Sequence, residues 1–410
     1  MFALIWAWTV GLLSDVGCAR PWLNTSFFHA LFSKITKGGL FCSPRLIKEM
    51  VNKKYKVLDL FCGCGGISEG YALAGFEIAG GIDFNEYATK TFMHNFKKAS
   101  VHNIDITTFT DAKIEEEYGD VDVIVGGPPC QGFSSANRWQ KEMDDPRNKL
   151  FFEYIRFVQR IHPKVIMIEN VRGLLTRDNG YAIRRIEEIL GAEEYNIKYQ
   201  ILDASEYGVP QNRKRAIIVG IRKDFKDVYF DFDAIEKKEK TTVEDAIGEL
   251  YCFENSSAGV KQISTPADTT LRAFFRTKDN TILDQDVVYP ALKVQERIKH
   301  VPQGGNWQNV PEELWPNNRK NRHSSAYKRL DPNTQSCTID TGNAHSNYFH
   351  PIFNRIPTIR ESARLQSFPD SFEFQGPRGS KYRQIGNAVP PLMAKAIADA
   401  IMKILNDENN

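Results

Sequence analysis

Along the chain, the arrangement of apolar and polar positions changes twice. Residues 1–49 mix tryptophans, isolated charges and a Gly-Gly pair, with no sustained period of 2 or about 3.6 residues. From Met50 a charged lead, MVNKKYK, feeds the apolar run KVLDLF, and strand-like and helix-like segments then take turns. The pattern predicts strands over 56–61, 77–82, 121–126, 164–168, 196–202 and 215–221, with helices over 66–74, 86–95, 150–161 and 181–190. Alternation of this kind predicts an α/β fold with a doubly wound sheet. After about residue 225 the periodicity decays into a stretch rich in Asn, Ser, Thr, Pro and Gly that runs through QGGNW and the basic RKNRHSSAYKR. A smaller, irregular second domain is expected there. Order returns with TIRESARLQSF and with PPLMAKAIADAIMKIL, where Leu392, Ala396, Ile397, Ala400 and Ile401 share one helical face that can pack back on the sheet. The expected organisation is an N-terminal extension over 1–49 outside the core, a core domain over 50–235, a second domain over 236–365 and a returning segment over 366–406. Met50 reads as a natural start.

Charge and cysteine content narrow the setting without deciding it. The 53 basic and 51 acidic residues leave a net charge of +2, so any nucleic-acid surface must be a local patch. Seven cysteines are an odd set, and two of them share a glycine-rich loop, which favours a reducing compartment over a disulfide framework. The apolar run from Phe2 to Leu13 falls short of the roughly 18 residues that span a bilayer and lacks a positively charged lead. No membrane segment is expected, and the cytoplasm is the expected location.

The chemistry sits where predicted strands end. DLFCGCGG, residues 59–66, closes a strand and opens a helix, so Gly63, Gly65 and Gly66 allow a tight turn and offer amides at a helix N-terminus. It is not the GxGxxG dinucleotide fingerprint, and no phosphate-binding P-loop occurs. The next strand ends in Asp83, a candidate for ribose hydroxyls, followed by Phe84, a candidate for stacking on a purine. Asp105, in NIDIT, stands at a later strand end. Taken singly these aspartates also read as turn formers or caps; their order with the glycine loop favours a nucleoside cofactor. Cys62 and Cys64 lack a second Cys or His pair at metal-binding spacing, so no metal is expected.

GGPPCQGFS, residues 126–134, places Cys130 on a loop at the same edge, and ENV then brings Glu169 to the end of the following strand. A buried free cysteine is ordinarily a small hydrophobe. A nucleophilic Cys130 needs an activating environment, because an unperturbed thiol near pKa 8.5 is only a few per cent thiolate at neutral pH. In YGVPQNRKRAIIVG, Arg213 and Arg215 are two apart, hence on one face, and suit phosphate or base oxygens.

Together these residues resemble the DNA (cytosine-5)-methyltransferases of bacterial restriction-modification systems. The resemblance runs from Lys56 to about Leu405, through DLFCGCGG, GGPPCQGFS, ENV, QNRKR, RESARLQSFPD and QIGNAVPP in that order. It implies a Rossmann-like, S-adenosylmethionine-dependent methyltransferase sheet with an irregular target recognition domain, acting on double-stranded DNA. By the same resemblance Cys130 is the nucleophile, Glu169 engages the base at N3 and Arg215 contacts O2. Phe61, Gly63, Gly65, Gly66, Asp83, Phe84, Asp105, Ile106 and Asn387 would bind S-adenosylmethionine. Ser134, Arg213 and the basic Arg319, Lys320, Arg322, Lys328 and Arg329 are expected DNA contacts, with the segment after Cys130 as a closing lid. A cognate restriction endonuclease acting on the same site without direct contact, and a monomeric state, are also implied. Cytosine methylation in transfer RNA and a catalytically silent DNA-binding relative are the alternatives; the long variable region and the intact Cys130 weigh against them.

Overall fold

In the computed structural model, residues 54–129, 148–315, 327–341 and 347–407 are described. They belong to the second of the two units into which the chain divides, Lys54–Asn410. Residues 1–49, Cys130, Ser134, most of the expected lid, Arg319, Lys320 and Arg322 lie outside the described residues.

Seven strands form one sheet: β1 (Lys56–Leu60), β2 (Glu77–Asp83), β3 (Ser100–Asn103), β4 (Val123–Gly126), β5 (Val165–Val171), β6 (Tyr195–Asp203) and β7 (Lys214–Arg222). Their order is β3-β2-β1-β4-β5-β7-β6. The first five are parallel, and β7 runs antiparallel to both neighbours, with Glu169 opposite Ile217 and Val171 opposite Arg215. Between β6 and β7 lie residues 204–213, with a single short turn at Ala204–Tyr207 in place of a crossover helix, and β7 returns in the opposite direction. Strand order reverses on either side of β1, which opens a crevice at the carboxyl ends of β1, β2, β4 and β5.

Alternation within the strands sorts side chains to two cores. Val57, Val123, Val125, Val165, Met167, Ile217 and Val219 face one side. Leu58, Leu60, Ile124, Ile166, Ile168 and Ile218 face the other. The helices α1 (Gly66–Leu73) and α2 (Glu86–Asn95) cover the first side, and α3 (Asp111–Tyr118), α4 (Lys149–Ile161) and α5 (Tyr181–Ala192) the second. β3 and α3 have weak signatures: the strand buries no residue, and the helix buries only Ile114 and Tyr118.

A third core joins Val243, Ile247, Leu250, Phe275, Ile298, Ile339 and Phe349 to residues of α6 (Ile359–Leu365) and α7 (Arg378–Asn387). The last helix, α8 (Pro391–Asn406), instead lies on the first face of the sheet, and the Tyr55 hydroxyl donates to Leu405 O at 2.7 Å. Met393, Ile397, Ile401 and Leu405 are fully buried there. At roughly 1.5–3 kcal/mol for each large apolar side chain, these four side chains contribute a gross burial against which the entropy of ordering α8 is set. No helix among the described residues is long and apolar enough to cross a membrane.

Candidate active site

A cavity of about 670 Å³ opens at the carboxyl edge of the sheet. The loop after β1 forms its floor. There Phe61 adopts a positive φ of 60° and Gly65 one of 97°, the latter as the N-cap of α1. A side chain at Gly65 would collide with Phe96 at 2.6 Å, so glycine is required both by conformation and by space. Asp83, at the end of β2, fastens this loop: one carboxylate oxygen accepts from the Gly63 amide at 2.9 Å and the other from the Asn85 amide at 2.8 Å. Burial pushes the Asp83 carboxyl up, against the pull of those amides. Phe84 beside it is 78% exposed, a bare ring on the cavity wall. Asp105 accepts from the Thr107 amide at 3.0 Å, which holds its carboxyl below the usual range.

Of the residues expected to bind the cofactor, Phe61, Gly63, Gly66, Asp83, Phe84, Asp105, Ile106 and Asn387 line this cavity. Gly65 does not; its place is the turn beneath. Sequence reasoning missed Ser380, Arg383 and Gln384, which also line it. With Asn387 they fall at i, i+3, i+4 and i+7 of α7, so the helical period leading back from Asn387 was the available signal. Two carboxylates at strand ends, an exposed aromatic ring and a loop of backbone amides fit the ribose, purine and polar tail of a nucleoside cofactor.

Glu169 closes the same cavity from β5, together with Pro129, the residue before Cys130. Its carboxylate accepts from Arg215 Nε at 2.8 Å, a diagonal pair across the antiparallel register of β5 and β7. Burial pushes the Glu169 carboxyl up; Arg215 and, more remotely, Arg213 pull it back. The neighbouring Asn170 amide donates to Pro128 O at 2.9 Å and so ties the end of β5 to the residues that follow β4. A buried carboxyl paired with a guanidinium at the edge of this cavity can exchange hydrogen bonds with the polar edge of a planar ligand.

Residues 55–403 match the model of the C-5 cytosine-specific DNA methylases. The type II methyltransferase M.DdeI of Desulfomicrobium norvegicum is 34% identical over 385 residues, covering 86% of this chain and 91% of its own. M1.HphI of Haemophilus parahaemolyticus is 35% identical over 354 residues, covering 86% and 87%. The chain belongs to the C-5 cytosine-specific DNA methylase family. A DNA modification methyltransferase encoded within an E. coli prophage superposes with a TM-score of 0.70 at 26% identity, over 86% of this chain and 100% of that one. The Dnmt2 methyltransferase of S. pombe, at 20% identity and a TM-score of 0.52, shares the fold.

As a cytosine-5 DNA methylase the protein transfers the methyl group of S-adenosylmethionine to DNA, and two expected DNA contacts must be reassigned. Arg213 is 1% exposed and donates to Ile339 O at 3.1 Å and Gly386 O at 3.0 Å. Arg329 is 9% exposed and donates to Pro351 O, Ile298 O, Val301 O and Ile352 O. Both guanidiniums are turned inward onto backbone carbonyls and present nothing to a phosphate. Lys328, the other residue of the two-residue strand Lys328–Arg329, is half-buried and keeps a path to solvent.

Proposed function

We propose that the protein methylates C5 of a flipped-out cytosine in a specific double-stranded DNA sequence through a covalent bond from Cys130 to C6. Cytosine C5 is too poor a nucleophile to attack an electrophilic methyl unaided, so covalent activation is needed. Attack of the Cys130 thiolate forms the C6–S bond, while Glu169 holds a proton at N3 and Arg215 holds O2, and electron density moves onto C5. S-adenosylmethionine, when bound, would supply the methyl group as a sulfonium substituent, the S–CH3 bond breaking as the C5–CH3 bond forms and neutral S-adenosylhomocysteine leaving. Once C5 carries the methyl, its hydrogen leaves as a proton to a base, and the C6–S bond breaks to restore the aromatic ring and the thiolate. The base must be flipped out because a thiol cannot reach C6 inside a stacked duplex.

The observation that supports this reading is the continuity of one cavity from Asp83, Phe84 and Asp105 to Glu169 and Pro129, which leaves room in a single space for both a methyl donor and an activated base. Residues 236–365 are read as the part that recognises the target, with Ser134 and Lys328 among the backbone contacts. The chain is further read as a monomeric, cytoplasmic modification enzyme whose cognate endonuclease acts on the same site without binding it. Bisulfite sequencing of DNA from cells expressing the full chain tests the proposal. One recurrent methylated cytosine context is expected, absent from cells expressing Cys130→Ser; random or absent methylation overturns it.

A further inference from the structure

Arg213 is a buried cation whose hydrogen bonds, among the described residues, go to backbone carbonyls; Glu169 and Asp340 act on it only through space. Its Nε has no hydrogen-bond partner among the described residues, and burial pulls the guanidinium down to about 9. An apolar residue would fill the site at lower cost, since a buried charge is expensive unless its geometry is used. The geometry here joins two segments far apart in sequence. One arm of the fork reaches Ile339 O, in the stretch that pairs with residues 210–213 through Asn212 N to Ser336 O at 2.9 Å and Ser336 N to Pro210 O at 2.9 Å. The other reaches Gly386 O, in the last turn of α7, next to Asn387 on the cavity wall. These two segments also touch each other: a Cβ on Gly386 would lie 2.5 Å from the Asp340 carbonyl carbon and 2.6 Å from Thr341 N. Two residues beyond Arg213, Arg215 grips Glu169.

We propose that Arg213 is a positioning residue that couples the cofactor cavity energetically to the DNA-reading region. The planar fork fixes the distance between Ile339 and Gly386, so a ligand that settles the α7 wall also settles the 336–341 stretch. The inference rests on the reading of residues 236–365 as the part that recognises DNA. By linkage, DNA must then tighten cofactor binding by the same factor as the cofactor tightens DNA binding.

The test uses the full chain and a duplex carrying its methylated context. Titration calorimetry measures the affinity for S-adenosylhomocysteine alone and with saturating duplex, and thermal melts confirm folding. In the wild type, DNA is expected to raise the affinity about tenfold or more. Arg213→Met should bring that ratio to within about twofold of one and leave the affinity without DNA within about threefold; Arg213→Lys, whose ammonium cannot span both carbonyls, should fall between. If Arg213→Met does not fold, Gly386→Ala forces the two backbones apart from the opposite side and should abolish the ratio likewise. A merely structural Arg213 would lower the melting temperature and leave the ratio intact. A wild-type ratio of one, or an unchanged ratio in any folded variant, overturns the coupling. Exchange of residues 240–350 for those of a relative with another target tests the underlying reading separately: if the hybrid folds and methylates the original site, that reading fails whatever the ratio.

Discussion

Replacing Asp83 by asparagine strikes both of its tasks at once. In the protein the carboxylate fastens the glycine loop through the Gly63 amide and caps the following turn through the Asn85 amide, which leaves a lone pair on each oxygen free for ligand hydroxyls. Asparagine keeps one oxygen for Asn85 but turns an NH₂ group toward the Gly63 N–H, donor against donor. One charge-assisted bond to the ligand and one to the loop are lost together. A hydrogen bond to a charged group contributes about 1.5–3 kcal/mol. At 1.4 kcal/mol per decade, affinity for S-adenosylhomocysteine should fall about tenfold to a hundredfold. The rate at saturating cofactor should stay near that of the wild type, because the interaction contributes equally before and during the reaction.

A pH series sharpens the argument. Burial raises the Asp83 carboxyl above the ordinary aspartate value, and the ionised form is the one that accepts two hydroxyl bonds. Wild-type affinity should therefore weaken as pH falls through that raised value, whereas Asp83→Asn, with nothing to titrate there, should show no such limb. Calorimetry between pH 4 and 8 reads both effects. Unchanged affinity at neutral pH in a folded variant, or an identical acid limb in both proteins, would refute a ligand role and leave Asp83 as a loop fastener alone.

Cys130→Ser should abolish methyl transfer and leave S-adenosylhomocysteine binding within a few-fold, read by tritium transfer and calorimetry; more than about a hundredth of the wild-type rate would exclude a nucleophile. Glu169→Gln can still donate a hydrogen bond but no proton, and should slow single-turnover methylation by about 10²- to 10⁴-fold; Arg215→Lys, lacking the fork, should lose about tenfold to a hundredfold. Burial alone would raise the Glu361 carboxyl, yet Arg355 and its other partners hold it down at about 2, so its stabilisation is fully present above the unfolded value near 4.3 and is lost as pH falls from there toward 2. Glu361→Gln, which leaves Arg355 half-paired in the interior, should cost about 3–5 kcal/mol at pH 7 and flatten that acid limb in thermal melts. Lys328→Ala should reduce the salt slope of DNA binding by about one with stability unchanged, whereas Arg329→Ala should lower the melting temperature and leave the slope alone; the reverse pattern would undo the assignment of the two residues.

The cavity's left wall was legible in the sequence because each of its pieces ends a strand. A glycine run after KVLDLF, an acid after EIAGGI and an acid after VIMI can be placed at one edge as soon as the strands are recognised. The right wall was harder to read. Ser380, Arg383 and Gln384 come from a helix more than two hundred residues away, in a polar segment whose mixed face carries little apolar signal. The short edge strand β3 shows the same limit: with every residue at least partly exposed, no alternation marks it. Gln211 and Gln366 were invisible for another reason. Buried together, they bond to one another and to Leu365 O, Ile385 O and Ala388 O, and no local pattern announces a polar junction between two glutamines 155 residues apart.

The arginines show why charge alone misleads in the irregular half of the chain. A segment without ladders leaves its carbonyls to find donors elsewhere, and a buried carbonyl left unpaired is costly. Guanidinium offers five N–H groups in one plane and no acceptor, which suits it to gather several carbonyls at once. Arg329 gathers four; Arg360 gathers Leu283 O, Pro369 O and Phe372 O; Arg213 joins Ile339 O to Gly386 O. From sequence Arg213 and Arg329 look like phosphate ligands, because the same donors serve both purposes. Strand parity separates them where composition cannot: Lys328 and Arg329 are adjacent in one short strand, so their side chains leave it on opposite sides, one toward solvent and one toward the third core. The same physics places Arg213 beneath the active site rather than on the DNA surface, where its fork holds the wall on which Asn387 stands.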